Sequence, residues 1–202
     1  MNKKIVHDAL ILFAFTLVLG LLLGLVYGVT KDRIEEENQK ALRAAYQQVF
    51  ENADSFEAYA EFDKDAANEL ITTAGYVDEI KDVQLAKDAS GTELGYVITV
   101  MAKDASQSTI TFSVGIQMDG TVNGYSITSI AETPGLGMKA EEEAFYSQFQ
   151  NKQVDQFEVV KATPASDSEI ESISGSTITS KAMANGVNAC IYYFQNVLGG
   201  AN

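Results

Sequence analysis

The feature that most restricts the fold of this chain is an uncharged apolar run near its start. Residues Ala9 to Val29 form 21 consecutive positions without a charge in a chain of 202 residues. At ~1.5 Å per residue, a helix of that length spans the ~30 Å hydrocarbon core of a bilayer. A cleaved signal peptide has a shorter apolar region of about 7–15 residues and a small-residue cleavage site. We therefore predict an uncleaved transmembrane helix over 9–29, preceded by a cytoplasmic tail over 1–8.

Charge does not decide which side of the membrane the rest of the chain occupies. Two lysines precede the run, whereas two lysines and two arginines follow it by Arg43. The positive-inside rule alone therefore does not favour a cytoplasmic N-terminus, although long domains translocate largely regardless of charge. We expect a single-pass protein of the cell membrane with an extracytoplasmic domain, and the charge count leaves the opposite orientation open.

Composition narrows the chemistry that the domain can perform. From Glu61 to the end, 20 acidic residues outnumber eight lysines, and there is no arginine. Nucleic-acid binding requires clustered Lys and Arg and is therefore not expected. Cys190 is the only cysteine and His7 the only histidine, so disulfides, multi-cysteine metal sites and histidine-based catalysis are excluded from the domain. We expect no catalytic residues and no metal ligands, and we expect Cys190 to fill the core.

The segment after the apolar run continues as a helix and leads into one domain. Lys31 to Phe50 contains neither Gly nor Pro and has apolar residues near helical spacing, which predicts a stalk helix. We place the stalk and its linker at 30–60 and the soluble domain at 61–202. A short helix is predicted over Asp63 to Leu70, and strand patterns begin at Tyr76.

Alternating patterns then predict a series of strands. Leu94 to Val100 is the first clear one, and Ile110 to Ile116 alternates apolar residues with Thr, Ser and Gly. Asp119-Gly120 predicts a hairpin turn, because its central positions need positive φ angles that Gly adopts freely. The return strand is predicted from about Val122 to Ile130, and a further strand over Phe157 to Val160.

Helices complete the expected architecture. Glu141 to Phe149 predicts a helix, and an amphipathic helix is expected from about Thr179 to the C-terminal region. An antiparallel sheet packed with helices is the natural arrangement of these elements. The predicted fold class is α+β, preceded by one N-terminal transmembrane helix.

Two glycine-bearing segments are candidates for function. The first reads ETPGLG at 132–137, and the second reads SGSTITS at 174–180, directly before the C-terminal helix. The second offers five hydroxyls around one glycine at a helix start, where free N–H groups favour an anion such as phosphate. Its bland alternative is an ordinary Ser/Thr helix cap. Pro134-Gly135 in the first segment reads by itself as a type II turn.

Together, these two segments behind one N-terminal span resemble a known family. The combination resembles the G subunit of the Rnf electron-transport complex, and it is also similar to the C subunit of the sodium-pumping NADH:quinone reductase. The resemblance extends over nearly the whole chain and is strongest from about Gly120 to Asn196. It implies an electron-relay subunit of an ion-translocating ferredoxin:NAD⁺ oxidoreductase, assembled with other membrane and iron–sulfur subunits.

The resemblance also implies a cofactor and its attachment. In that family a Ser/Thr-Gly-Ala-Thr-x-Thr motif receives FMN through a phosphoester to its first threonine after the small residue. A separate flavin transferase of the ApbE type, which uses FAD and magnesium, makes the bond. The matching residue here is Thr177, and the chain departs from the pattern at Ser176, where Ala is usual, and at Glu171, where Asp is common. A threonine hydroxyl needs a base to become a nucleophile, and the transferase would supply it.

The remaining candidates follow from the same two segments. Backbone N–H groups of the second segment and the Lys181 side chain are expected to meet the phosphate charge, and the ring of the flavin is expected against the first segment, with Glu132 orienting that loop. The candidate FMN-binding residues beside Thr177 are Ser174, Gly175, Ser176, Thr179 and Lys181 in the second segment, and Thr133, Gly135 and Leu136 in the first.

Three other functions remain open at this point. The chain could be the C subunit of the quinone reductase, although that family tends to be longer, with an extra insertion. It could be a stand-alone extracellular flavin carrier. It could also be a non-redox, membrane-anchored binding module in which SGST is a plain helix cap.

Overall fold

The computed structural model describes residues 3–199, so the ends of the predicted tail and of the predicted domain lie outside that range. The chain divides into two compact units, residues 1–42 and residues 43–202. The first unit consists of a single helix in its described part. This helix, α1, runs from Lys3 to Val49, and its last turns belong to the second unit.

Helix α1 contains the whole apolar run. It is long enough and apolar enough to cross a membrane, and within residues 3–199 none of its most apolar stretch is buried. Large side chains such as Leu23 and Leu25 are about two-thirds exposed, at 70% and 67%. Such a surface is stable in hydrocarbon and unfavourable in water, as expected of a lipid-facing helix.

The second unit contains seven strands and three further α-helices among the described residues. The strands are β1 (Ser55–Ala58), β2 (Glu79–Lys87), β3 (Glu93–Ala102), β4 (Ile110–Gln117), β5 (Val122–Ser129), β6 (Glu158–Val160) and β7 (Glu169–Glu171). The helices are α2 (Lys64–Thr73), α3 (Glu143–Tyr146) and α4 (Thr177–Tyr193), with 3₁₀ turns at Gly137–Glu141 and Ser147–Phe149 and a π-helical turn at Phe194–Leu198.

The first five strands form one antiparallel sheet in the order of the chain. The β4–β5 connection is the predicted hairpin: Gly120 has φ +87°, and the Asp119 carboxylate accepts a 2.9 Å bond from the Thr121 N–H. Strands β6 and β7 form a separate parallel pair. The predicted α+β class, with an antiparallel sheet packed with helices after one long apolar helix, is confirmed.

One face of the sheet, which we call the α4 face, carries the apolar core. Its residues alternate along the strands and are matched across them, as in the pair Val100 and Phe112. Helix α4 packs on this face, and Gly186 allows the close approach, because a Cβ there would lie 2.6 Å from Phe112 Cζ. The buried side chains on and around this face include Ile80, Val83, Ile98, Val100, Ile110, Phe112, Val114, Ile116, Tyr125, Met183 and Cys190.

The opposite face, which we call the α1 face, is covered by the last turns of α1. Tyr46 and Val49 are both only 4% exposed. A Cβ at Gly115 would lie 2.9 Å from the Val49 carbonyl oxygen, so only glycine permits this contact. Ser126 donates a 2.7 Å hydrogen bond to Gln48 of α1, which adds a polar connection between helix and sheet.

Some predicted elements differ from those in the structure. The helix predicted over Glu141–Phe149 is instead the four-residue α3 between two 3₁₀ turns. Within that range only Phe145 and Phe149 are buried, which is too little apolar packing to stabilise a longer helix. Strand β2 begins at Glu79 rather than Tyr76. Helix α4 begins at Thr177, two residues before the predicted start.

Candidate functional site

The segment 132–137 follows β5 and folds into a tight turn. Leu136 N–H donates a 3.1 Å bond to the Thr133 carbonyl, with Pro134 and Gly135 between them and Gly135 at φ +75°. This is the type II turn predicted from Pro-Gly. Thr133, Gly135 and Leu136 are exposed, whereas Glu132 at the start of the segment is only 5% exposed.

The segment 174–180 connects β7 to α4 through a second turn. Ser176 N–H donates a 2.9 Å bond to the Ile173 carbonyl, and Gly175 between them has φ +78°. Ser180, in the first turns of α4, closes the corner: its hydroxyl donates to the Ser176 carbonyl and accepts from the Ile173 N–H, both at 2.9 Å. The chain therefore reverses into the helix with Thr177 as its first residue.

A buried chain of hydrogen bonds joins the two segments. Ser176 Oγ donates to Thr179 Oγ1 at 2.9 Å, and Thr179 Oγ1 donates to Glu132 Oε2 at 3.1 Å. The other carboxylate oxygen, Glu132 Oε1, accepts from the Gln107 N–H at 2.9 Å. Gly137 is required beside this carboxylate, since a Cβ there would lie 2.5 Å from Glu132 Oε2.

The two segments also touch through an apolar contact. A Cβ at Gly175 would lie 3.2 Å from Leu136 Cδ2, so the glycine leaves room for the leucine. Leu136 is nevertheless 41% exposed, and Ile178, the second residue of α4, is 59% exposed. Both apolar side chains lie next to the helix start, where they could cover the face of a planar ligand.

The start of α4 retains its capacity to bind an anion. Within residues 3–199, no side chain caps its first turn, because the Ser176 hydroxyl is engaged with Thr179 instead of a backbone N–H. Free N–H groups and the helix dipole at such an end favour a phosphate. Ser176 is therefore not the ordinary Ser/Thr cap that the sequence left open as an alternative.

Among the hydroxyls of this segment, Thr177 is one of two that the described structure leaves unengaged. It is half-buried, and no hydrogen bond to Oγ1 is found within residues 3–199. Lys181 is exposed and lies four residues further along α4, which places it on the same side of the helix. Thr133 contributes its carbonyl oxygen to the turn and makes no side-chain hydrogen bond within the described range.

A cleft of about 300 Å³ opens beside the second segment. Ser172 and Ser174 of the chain leading into α4 line it, together with Lys139 and Gln148. Gln148 fixes the cleft by bonding both backbone groups of Glu171, accepting at 2.7 Å and donating at 3.3 Å. The lining of the cleft thus combines one lysine with two glutamates, Glu142 and Glu171, and with neutral polar and apolar groups.

The scaffold beneath the site is held by buried polar groups that do not ionise readily. Tyr125 donates a 2.7 Å bond to the Ala140 carbonyl, which fixes the 3₁₀ turn after segment 132–137, and burial raises the pKa of its phenol. Burial likewise raises the pKa of the Cys190 thiol. Cys190 is fully buried, as expected of a core residue. Among residues 3–199, no group of three or more His, Cys, Asp or Glu is arranged to hold a metal.

The site contains residues that sequence patterns did not single out. Gln107 supplies a backbone N–H from the β3–β4 connection, Gly137 accommodates the Glu132 carboxylate, and Ile178 projects beside Thr177. None of the three carries a chemical signature in a single sequence. The second glycine of ETPGLG was the one signal available, since closely spaced glycines often mark close packing.

Both parts of the chain are similar to known proteins. Residues 106–192 match the model of an FMN-binding domain, and residues 1–49 match that of the RnfG N-terminal region. The chain is 36% identical over 199 residues to the G subunit of the Na⁺-translocating ferredoxin:NAD⁺ oxidoreductase complex of Acetobacterium woodii, covering 96% of this chain and 94% of the relative.

Two further similarities complete the comparison. The G subunit of the proton-translocating ferredoxin:NAD⁺ oxidoreductase complex of Clostridium ljungdahlii is 35% identical over 120 residues, covering 59% of this chain and 63% of the relative. Among solved structures, the C subunit of the Na⁺-translocating NADH-quinone reductase from Parabacteroides distasonis matches with a TM-score of 0.54 and 18% identity, over 83% of this chain and 97% of that one. The latter similarity concerns the fold alone.

Proposed function

The chain belongs to the family of G subunits of Rnf-type ion-translocating oxidoreductase complexes, and on that basis we propose that it relays electrons through FMN attached covalently to Thr177. The observation that carries the attachment is the half-exposed, unengaged Thr177 hydroxyl at an uncapped helix start, next to segment 132–137. FMN supplies the redox chemistry when bound, accepting and releasing one or two electrons.

The residues of the site fit a phosphate ester. The N–H groups of the first turn of α4 would hold the phosphate, and Lys181 would offset part of its negative charge. Gly175 permits the turn that brings Thr177 to the surface, and Leu136 and Ile178 offer apolar contact to the ring. Ser174 borders the cleft next to the attachment point. Thr133 and Gly135 shape the turn that presents Leu136.

The attachment is a phosphoryl transfer that this chain does not catalyse. The bond between Thr177 Oγ1 and the FMN phosphorus forms, the phosphorus–oxygen bond that joins FMN to AMP in FAD breaks, and AMP leaves. The hydroxyl proton passes to a base of the flavin transferase. The contribution of this chain is an accessible hydroxyl at the end of a rigid helix, and its lack of a neighbouring histidine is consistent with an external base.

The partners follow from the family. The G-subunit relatives belong to ferredoxin:NAD⁺ oxidoreductase complexes, one sodium-translocating and one proton-translocating by name. We propose that this chain assembles with the other membrane and iron–sulfur subunits of such a complex. The coupling ion is not assigned, because the two relatives differ in it. The match to an FMN-binding domain favours this function over a non-redox binding module.

Helix α1 provides the membrane anchor in this proposal. We propose that the domain lies outside the cytoplasm. Protease treatment of intact and of lysed cells tests this orientation: the domain is digested in both if it is outside, and only after lysis if it is inside.

Covalent attachment is tested by expressing the full chain with the flavin transferase. Wild type should show flavin fluorescence that survives denaturing electrophoresis, and peptide mass spectrometry should find the FMN-sized adduct on Thr177. Thr177→Val keeps the shape of the side chain but removes the hydroxyl, and should abolish the adduct. Thr163→Val, the same substitution at an exposed threonine between β6 and β7, should leave it unchanged. A fluorescent Thr177→Val band would contradict the assignment.

A further inference from the structure

The five hydroxyls of segment 174–180 differ in their availability. Ser176, Thr179 and Ser180 are buried, at 8%, 0% and 0% exposure, and each donates a hydrogen bond within the site. Ser174 is exposed and Thr177 half-buried, and neither hydroxyl is engaged within residues 3–199. The fold thus withholds three hydroxyls of this segment from an external enzyme.

The direction of the hydrogen bonds is set by Glu132. A carboxylate only accepts, so Thr179 must donate to Glu132 Oε2, and Ser176 must then donate to Thr179. The Glu132 side chain cannot turn away easily, because its other oxygen accepts from the Gln107 N–H and its stem packs against Gly137. The direction in which the Thr179 and Ser176 hydroxyls donate therefore depends on the buried Glu132 carboxylate, which lies 44 positions before Ser176 in the chain.

This arrangement changes what Ser176 does at the helix start. A serine in this position normally turns its oxygen toward the N–H groups of the first helical turn and caps them. Here its φ and ψ are −135° and 47°, its hydroxyl is directed to Thr179, and it makes no capping bond. The N–H groups that a capping serine would occupy are the same groups that the phosphate ester requires.

We propose that Glu132, acting through Thr179, selects Thr177 as the flavin acceptor by holding the Ser176 hydroxyl away from the first turn of α4. This inference depends on the proposed function and assigns a positioning role to a residue that touches neither Thr177 nor its ester. Glu132 keeps the Ser176 hydroxyl engaged with Thr179, and it thereby keeps the N–H groups of the first turn of α4 free.

A glutamine at this position cannot replace the acid. Its side chain has one acceptor oxygen and one donor NH₂ group, whereas the site offers two donors, the Gln107 N–H and the Thr179 hydroxyl. One of the two bonds is therefore lost or reversed in Glu132→Gln. A reversed Thr179 hydroxyl releases the hydrogen of Ser176, so that Ser176 becomes free to cap α4.

The test maps the flavin position in the full chain, co-expressed with the flavin transferase and compared among variants. Trypsin releases residues 162–181 as one peptide that contains all five hydroxyls, and fragmentation shows which of them carries FMN. We expect Glu132→Gln and Thr179→Val to lower the Thr177-linked yield by about fivefold, the factor set by one helix-capping hydrogen bond. Glu143→Gln, the same substitution at an exposed position of α3, should match wild type.

A double variant separates selection from general damage to the fold. In Glu132→Gln combined with Ser176→Ala the competing hydroxyl is absent, so Thr177 labelling should return to near the level of Ser176→Ala alone. No return, or wild-type labelling in Glu132→Gln and Thr179→Val, would overturn the proposal. Retention of the adduct in Thr177→Val would instead overturn the attachment site itself, so the two failures are distinguishable.

Discussion

The two faces of the five-stranded sheet are both buried, but different interactions hold them. On the α4 face, aromatic and aliphatic side chains pack without hydrogen bonds between them, as around Phe112 and Tyr125, whose ring centroids lie 5.5 Å apart. On the α1 face, hydroxyls and amides form a polar layer, in which Ser113 lies 3.1 Å from Thr99. The two faces therefore have different roles. The α4 face supports the helix that carries Thr177, and the α1 face packs against the end of helix α1.

The largest expected effect comes from deleting an aromatic ring on the α4 face. Phe112 is fully buried and contacts Gly186 in the middle of α4. Phe112→Ala should lower the free energy of unfolding by about 3–5 kcal/mol, because it removes apolar burial and leaves a cavity. Thermal or denaturant unfolding of the full chain in detergent, followed by tyrosine near-UV circular dichroism, measures this.

Asp78 is a buried acid next to the apolar side of the sheet, and its protonation tests the contrast between the two faces. Asp78 precedes β2, is 3% exposed, and has no hydrogen-bond partner for either carboxylate oxygen among the described residues. Burial raises its pKa from the ordinary 3.8 to about 7, and Asp104 adds to the effect while Lys103 opposes it. Its ionised form is therefore disfavoured in the folded protein.

The sign of the resulting pH dependence follows from proton binding. Between pH 4 and pH 7 the folded state retains the Asp78 proton and the unfolded state has lost it, so stability should fall as pH rises through this window, by about 2–4 kcal/mol from this group. Subtracting the unfolding data of Asp78→Asn from those of wild type isolates the contribution. Asp104→Asn should shift the window to lower pH. An unchanged pH profile in Asp78→Asn would contradict the assignment.

The two faces of the sheet also show how far the sequence could predict the fold. The alternation in Ile110 to Ile116 correctly predicted a strand with an apolar face, and Asp119-Gly120 correctly predicted its hairpin. Alternation of this kind usually indicates that the polar face meets water. Here Ser113 is fully buried and Thr99 is 5% exposed, because the end of α1 covers them. A long-range contact of this kind leaves no periodic signal in the strand itself.

The candidate site was predictable in its parts but not in its connections. The SGSTITS and ETPGLG patterns located both segments, and Pro134-Gly135 gave the turn. The bond from Thr179 to the buried Glu132 was not predictable, since it depends on how two loops 47 positions apart meet. The sequence analysis missed the short strands β1 and β7 for a related reason. Each has only three or four residues, which is too few for an alternating pattern to appear. Each forms a strand only through pairing with its neighbour, β2 or β6.

A smaller loss of stability is expected where helix α1 packs on the α1 face. An alanine Cβ at position 115 would come within 2.9 Å of both Val49 Cβ and the Val49 carbonyl oxygen. Gly115→Ala should cost about 1–3 kcal/mol through overpacking and should loosen the last turns of α1. Limited trypsin cleavage at the exposed Arg43 should become faster. Gly20→Ala, where an added Cβ meets nothing within 4 Å, is the matched control and should leave the rate unchanged.

The smallest effect compares neighbouring residues that point to opposite faces. Ser113 follows Phe112 and is equally buried, but its hydroxyl bonds Thr99, which lies 3.5 Å from the Tyr46 hydroxyl. Ser113→Ala should cost about 1 kcal/mol, the net value of one hydrogen bond, because Thr99 keeps Tyr46 as a partner. Burial raises the pKa of Tyr46, so its phenol stays a donor, to Asp82 at 3.1 Å.

Combining Ser113→Ala with Tyr46→Phe leaves Thr99 without either partner, so the double variant should lose more stability than the two single variants together. Additive losses would mean that the polar layer consists of independent bonds, and the contrast between the two faces would then be one of composition and not of cooperativity.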